Sequence, residues 1–235
     1  MNERAPEQID MEGRSVLIAG ATGGLGSAIA ADLAARGAKL TLVARRPDPL
    51  AALEIDGRTV ALDLRTATAC QAAVDAAVEH GGGRLDVVVN AVGVVAFGSI
   101  DELSVDAMEE LFLTNTFVPI MLARAALPVM GEGGVLVNIS GVIAEKNLPG
   151  MAAYGASKAA VRSFDEALGR EARRRKIRVV DARPPHTETG LAARAIEGRA
   201  PSFPAGLAPA AVAARICEAI VTDGISDLPS GSFTE

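Results

Sequence analysis

Tyr154 and Lys158 stand four residues apart in the stretch YGASKAAV, at the start of a run with helical character. Residues four apart on a helix share a face, so the pattern sets a phenol beside an ammonium. A free phenol has a pKa of about 10, too high for a base at neutral pH. A neighbouring positive charge favours the phenolate and brings proton transfer within reach. Tyr154 is the only tyrosine in the chain. The competing reading is a packed tyrosine beside a solvated lysine. Upstream, NISG carries Ser140 and Gly141, fourteen and thirteen residues before the tyrosine.

Something must hold these groups in place, and the chain alternates short β-branched runs with helix-like runs. Strands are expected at 15–20, 39–44, 59–63, 85–91, 133–140 and 177–185. Helices are expected at 26–37, 67–80, 104–130, 152–175 and 208–223, with Gly37 closing the first and Pro119 kinking the third or being absorbed by it. Strands this apolar on both faces belong in a parallel sheet covered by helices. The fold class is therefore α/β: a doubly wound parallel sheet with helices on both faces, in a single domain over residues 1–235. The Pro- and Gly-rich segment 186–207 is too long for a simple connection and reads as a substrate-covering loop.

The first strand runs into AGATGGLGSAIA, with glycines at 20, 24 and 26. The first permits a tight turn, the second lets a pyrophosphate approach the backbone, and the third lets the helix pack on the sheet. A dinucleotide here would meet Gly20, Thr22, Gly24, Leu25 and Gly26, then Asp63 and Leu64 after the third strand. After the fourth it would meet Asn90, Ala91 and Gly93. Asn90 has a second reading as a turn-capping amide. The second strand ends in VARRPD, with no carboxylate for a ribose diol and with Arg45 and Arg46 available for a 2′-phosphate. NADP(H) is thus favoured over NAD(H); the plain alternative leaves both arginines solvated.

Composition closes off other functions. The net charge is −6, and the one basic run, GREARRRKIR at 169–178, falls at a helix end where cations suit the helix dipole. No nucleic-acid partner is expected. Two separated cysteines and two histidines offer neither a disulfide framework nor a zinc site. The N-terminus has no apolar leader, and LDVVVNAVGVVAFG, the longest apolar stretch, is too short and polar to span a bilayer. A cytoplasmic protein without a membrane partner is the expectation.

In order along the chain, GATGGLG, NAVG, Asn115 in LTNTF, NIS, YGASK and PPHTET resemble the classical short-chain dehydrogenase/reductase family, over about residues 13–222. The resemblance implies a Rossmann-type fold and an oxidoreductase moving hydride between nicotinamide and a small carbonyl/alcohol substrate. It implies that Tyr154 is the general acid/base and that Lys158 binds the nicotinamide ribose and tunes the tyrosine. It also implies that Asn115 holds a relay water, Thr189 contacts the carboxamide, and Tyr154 and Lys158 both touch the cofactor. A homodimer or homotetramer is expected, by default through helices 104–130 and 152–175.

Two departures stand out. The family's serine falls thirteen residues before the tyrosine, where this chain has Gly141. Neighbouring strand residues face opposite ways, so Ser140 would point away unless the chain bulges at Gly141. At face value the site lacks that serine; either Ser140 swings inward at such a bulge, or a substrate hydroxyl, a water or another side chain supplies the hydrogen bond. Pro185 replaces a glycine and forces the loop along another path. His186 follows it and faces either the substrate or a loop hydrogen bond. These departures motivate a rival reading, an NADP(H)-binding protein with weak or no dehydrogenase activity. Arg194 and Arg199 in the loop are read as facing solvent.

Overall fold

A computed structural model describes residues 8–233. The first seven residues of the polar N-terminal segment and the last two of the expected domain lie outside them. Seven strands form one parallel sheet: β1 Ser15–Ala19, β2 Lys39–Ala44, β3 Arg58–Ala61, β4 Leu85–Asn90, β5 Met130–Ile139, β6 Arg178–Ala182 and β7 Asp227–Leu228. Their order is β3-β2-β1-β4-β5-β6-β7. The helices are α1 Gly24–Ala35, α2 Pro47–Ala51, α3 Ala67–His80, α4 Val105–Phe112, α5 Val118–Ala126, α6 Ala152–Ala172 and α7 Pro209–Val221.

Strand alternation sorts the core onto two faces. Val16 and Ile18 of β1 pack with Ile29 and Leu33 of α1 and with Ile216 and Ile220 of α7. Leu17 and Ala19 point the other way, to Val74 of α3, Leu122 of α5 and Leu168 of α6. Both clusters are aliphatic, as a chain with 3% aromatic residues requires. The α1 end is closed by a Schellman turn: Gly37 takes φ +81°, its amide donates to Ala34, and Ala38 donates to Leu33.

The expected helix 104–130 runs unbroken over Val105–Val129, but its winding changes: α4 passes through a π turn at Leu113–Phe117 into α5 and ends in a 3₁₀ turn at Leu127–Val129. Pro119 follows the π turn by one residue and is absorbed without ending the helix. By length and composition alone the run Val105–Val129 could cross a bilayer; here Val118, Leu122 and Ala126 are buried against the fold. Sequence periodicity also missed α2 and the two-residue β7.

The strand order reverses between β1 and β4, which leaves a crevice at their carboxyl ends, the place where ligands bind in such sheets. The register brings Asn90, Asn138, Asp181 and Asp227 side by side across β4, β5, β6 and β7, a polar row along that same edge.

Candidate active site

At the reversal point, Gly20 adopts φ +84°, and a Cβ there would lie 2.8 Å from the carbonyl of Ala91. A Cβ on Gly26 would lie 2.2 Å from the oxygen of Gly20, so both glycines are demanded by the turn itself. Gly23 caps α1 with no side-chain hydrogen bond, and the first turn holds no acid. The amides of a helix start therefore stand free for an anion. Gly24 has a further neighbour: its Cβ would meet the Cα of Thr189 at 2.9 Å, so the root of the 186–207 loop rests on the glycine turn.

This turn lines a cavity of about 310 Å³ that also takes in Ala91, Gly93, Ser140, Gly141, Tyr154, Lys158, His186, Thr189 and Arg194. Cofactor-loop and proton-transfer residues, far apart in sequence, thus share one space. Thr22 follows the turn but is not among the cavity's lining residues, whereas Leu25 is. Leu64 is a buried core residue. Asp63 is held by Arg65 at 2.6 Å, and that pairing keeps its carboxyl below the usual range. Arg45 and Arg46 are exposed at the end of β2, and among the described residues neither guanidinium has a hydrogen-bonding partner.

Tyr154 is half-buried between two small apolar clusters, and loss of solvent pushes its phenol up to about 12. Lys158 is 6% exposed. Its Nζ donates to the carbonyl of Ile139 at 2.7 Å. Burial lowers its pKa to about 8, against the opposing pull of Asp181 and Asp165. A phenol in this state keeps its proton at neutral pH.

Asn115 sits in the π turn with its amide fully engaged. Its Oδ1 accepts from the Val94 amide at 2.9 Å; its Nδ2 donates to the Val94 carbonyl at 2.9 Å and to Ser157 Oγ at 3.0 Å. Ser157 in turn donates to the Tyr154 carbonyl at 2.8 Å, and Thr116 donates to the Ser157 carbonyl at 2.8 Å. The π turn is therefore stitched to the first turns of α6 at the level of Tyr154. Ser157 lies inside YGASK, and nothing in its spacing announced this task.

The chain does loosen after β5: the amides of Ser140 and Gly141 both reach the carbonyl of Ala182, and Gly141 takes φ +82°. Yet Ser140 is fully buried and its hydroxyl donates to Asp181. It joins the polar row instead of standing free for a substrate. Asp181 also binds Arg183, which pairs with Glu145 and, at 2.6 Å, with Asp227. The other end of the row is amide-linked. Asn90 donates to Asn138 at 3.2 Å, and Asn138 donates to Asp165 at 2.6 Å, whose carboxyl burial raises well above its usual range. Asn90 Oδ1 also accepts from the Val92 amide at 3.3 Å, shaping the turn that leads to Gly93.

Sequence reasoning overlooked the far wall of the cavity. Phe97, Ile143, Met151, Leu191 and Phe203 line it. The signal was available in a chain with six phenylalanines, where Phe97 and Phe203 both sit in Gly- or Pro-rich loops.

A family model described as short chain dehydrogenase matches residues 14–200. An uncharacterized oxidoreductase of Methylorubrum extorquens is 33% identical over 187 residues, covering 76% of this chain and 75% of that one. The 3-ketodihydrosphingosine reductase of Mus musculus is 30% identical over 203 residues, 80% of this chain but 61% of the reductase. A short chain dehydrogenase from Burkholderia cenocepacia, crystallised in complex with NADP, superposes with a TM-score of 0.83 at 25% identity, covering 96% of this chain and 100% of that one. The chain belongs to the short-chain dehydrogenase family.

Proposed function

We propose that this short-chain dehydrogenase is an NADP-dependent oxidoreductase acting on a small carbonyl/alcohol pair. The observation that carries the reading is the shared cavity: Gly23–Gly26, Gly93 and Thr189 line the same space as Tyr154 and Lys158. The free helix start suits a pyrophosphate, and Arg45 and Arg46 suit a 2′-phosphate. Gly93 offers no side chain between Lys158 and the cavity, since a Cβ there would stand 3.5 Å from both Lys158 Nζ and Asn115 Oδ1.

When bound, NADPH supplies the hydride. The chain does the rest. The Tyr154 hydroxyl faces the substrate oxygen and donates its proton as the carbonyl becomes an alcohol. Lys158 stabilises the phenolate left behind and takes ribose hydroxyls as well as the Ile139 carbonyl. Asn115 anchors Val94 and α6, and a relay water is assigned to its main chain because its side chain is spent. Val105 and Phe117, 63% and 53% exposed on the α4 side, support self-association there into a homodimer or larger homo-oligomer.

The test is a titration of the purified protein with NADPH and NADH, then a panel of carbonyl compounds followed by NADPH absorbance. Reduction requires Tyr154 protonated and Lys158 charged. The lysine's depressed pKa makes kcat/KM hold below pH ~8 and fall above it. A second reading, a dinucleotide-binding protein with little turnover, is favoured by the hydroxyl of Ser140 being held by Asp181. Tight NADPH binding with no oxidation across the panel would select it.

A further inference from the structure

We infer that the substrate is a compact, neutral, ring-bearing ketone or alcohol held against an aromatic wall of Phe97, Phe203 and His186, a conclusion that rests on the oxidoreductase reading above. The chain has six phenylalanines, one tyrosine, no tryptophan and two histidines. Two of those phenylalanines, the tyrosine and one histidine line this single cavity, while the two main core clusters are almost wholly aliphatic. An aliphatic substrate would be served by the residue types the rest of the fold uses.

The wall is built, not incidental. His186 lies over Phe203 with ring centroids 4.9 Å apart and 30° between planes; Phe203 meets Phe97 at 6.1 Å and 51°. These are the tilted and offset arrangements that aromatic rings prefer. Glycines crowd two of its members. A Cβ on Gly198 would lie 1.7 Å from the Phe97 carbonyl, and one on Gly206 would lie 2.8 Å from the His186 ring. The loop carrying Phe203 is tied at both ends. The Ile196 amide donates to Val95 at 2.8 Å and the Phe97 amide to Glu197 at 3.0 Å; Leu207 donates to His186 at 2.8 Å. The Glu197 carboxylate further accepts from the Ser104 amide at 2.8 Å, at the start of α4.

Size and charge narrow the class. A cavity of about 310 Å³ sits at the lower end of the roughly 300–1,000 Å³ of ligand sites, and it must take the nicotinamide as well as the substrate. The space beside it suits one or two fused rings. The two cations that line the cavity stand beside glycines of the dinucleotide side and the loop root, Lys158 by Gly93 and Arg194 by Gly190. Lys158 is on Ile139, and the Arg194 guanidinium donates to the Thr189 carbonyl at 3.3 Å, at the loop root beside Gly24. His186 faces Glu188 at 3.5 Å. With Ser140 on Asp181, Tyr154 and His186 are the polar groups left to hold the substrate oxygen.

The experiment uses calorimetric titration of the protein–NADP⁺ complex, which cannot reduce a ketone. Three probes of equal carbon count separate the classes: α-tetralone, a linear methyl ketone, and benzoylpropionate as the anionic aryl ketone. The expected result is α-tetralone binding about tenfold or more tighter than either other probe. Phe203→Leu, which keeps apolar bulk and removes the ring, should weaken α-tetralone by about 2- to 10-fold and leave the linear ketone within about twofold. Equal or tighter binding of the linear or anionic probe, indifference to Phe203→Leu, or no binding of any probe overturns the inference. Replacing NADP⁺ by NADPH then asks the separate question: selective α-tetralone binding without oxidation upholds this inference and sinks the oxidoreductase reading.

Discussion

On one side of the cavity stand Gly23, Gly24, Gly26 and Gly93, with Gly20 crowded against Ala91 and Gly26; on the other stand Phe97, Phe203 and His186. The glycine side is shaped by backbone. Removing side chains brings β1, α1 and the turn after β4 within van der Waals contact, and the helix start supplies its own partial charge. The aromatic side is shaped by side chains on long loops, each ring set by contacts with residues distant in sequence. The first kind of wall tolerates almost no substitution, whereas the second can be rebuilt for another substrate while the fold stays the same. Tyr154 and Lys158, both on α6, line the same cavity.

That division can be broken by variants that hit both sides alike. The largest effect is expected for Tyr154→Phe: roughly 10²–10⁴-fold lower turnover for every substrate, with NADPH affinity kept, read by steady-state rates and dinucleotide titration. Gly26→Ala forces the turn apart, since its Cβ would lie 2.2 Å from the Gly20 oxygen. A cost of about 2 kcal/mol weakens NADPH binding by about 30-fold without changing the ranking of substrates. The double change Arg45→Ala and Arg46→Ala removes charge-assisted bonds of about 1.5–3 kcal/mol. It should weaken NADPH by at least about tenfold and leave NADH nearly unchanged. An equal loss for both dinucleotides would put the arginines in solvent and the selectivity elsewhere.

The same division explains what could be read in advance. The parallel α/β sheet, the glycine turn and the Tyr154–Lys158 pair are written in local patterns: β-branched runs, a strand–glycine–helix sequence and a four-residue spacing. The π turn at Leu113–Phe117 was not legible. It arises because Asn115, Thr116 and Ser157 satisfy one another across two helices, and no local propensity encodes that. Strand alternation predicts that Ser140 faces away, yet it lines the cavity, and nothing local shows that Asp181, 41 residues on, holds its hydroxyl. Phe203 belongs to a segment with no periodicity at all, so its place opposite Tyr154 emerges only from the pairing of the loop with Val95 and Phe97.

We propose that proton transfer runs on Tyr154 and Lys158 while Ser140 serves the fold. Single-turnover NADPH oxidation by Ser140→Ala, with thermal unfolding recorded on the same protein, decides it. The expected result is turnover within about threefold of the unaltered chain and a stability loss of about 1–3 kcal/mol, the cost of leaving buried Asp181 short of a donor. Turnover reduced as deeply as in Tyr154→Phe, with unfolding unchanged, would contradict it and return the Ser140 hydroxyl to the substrate.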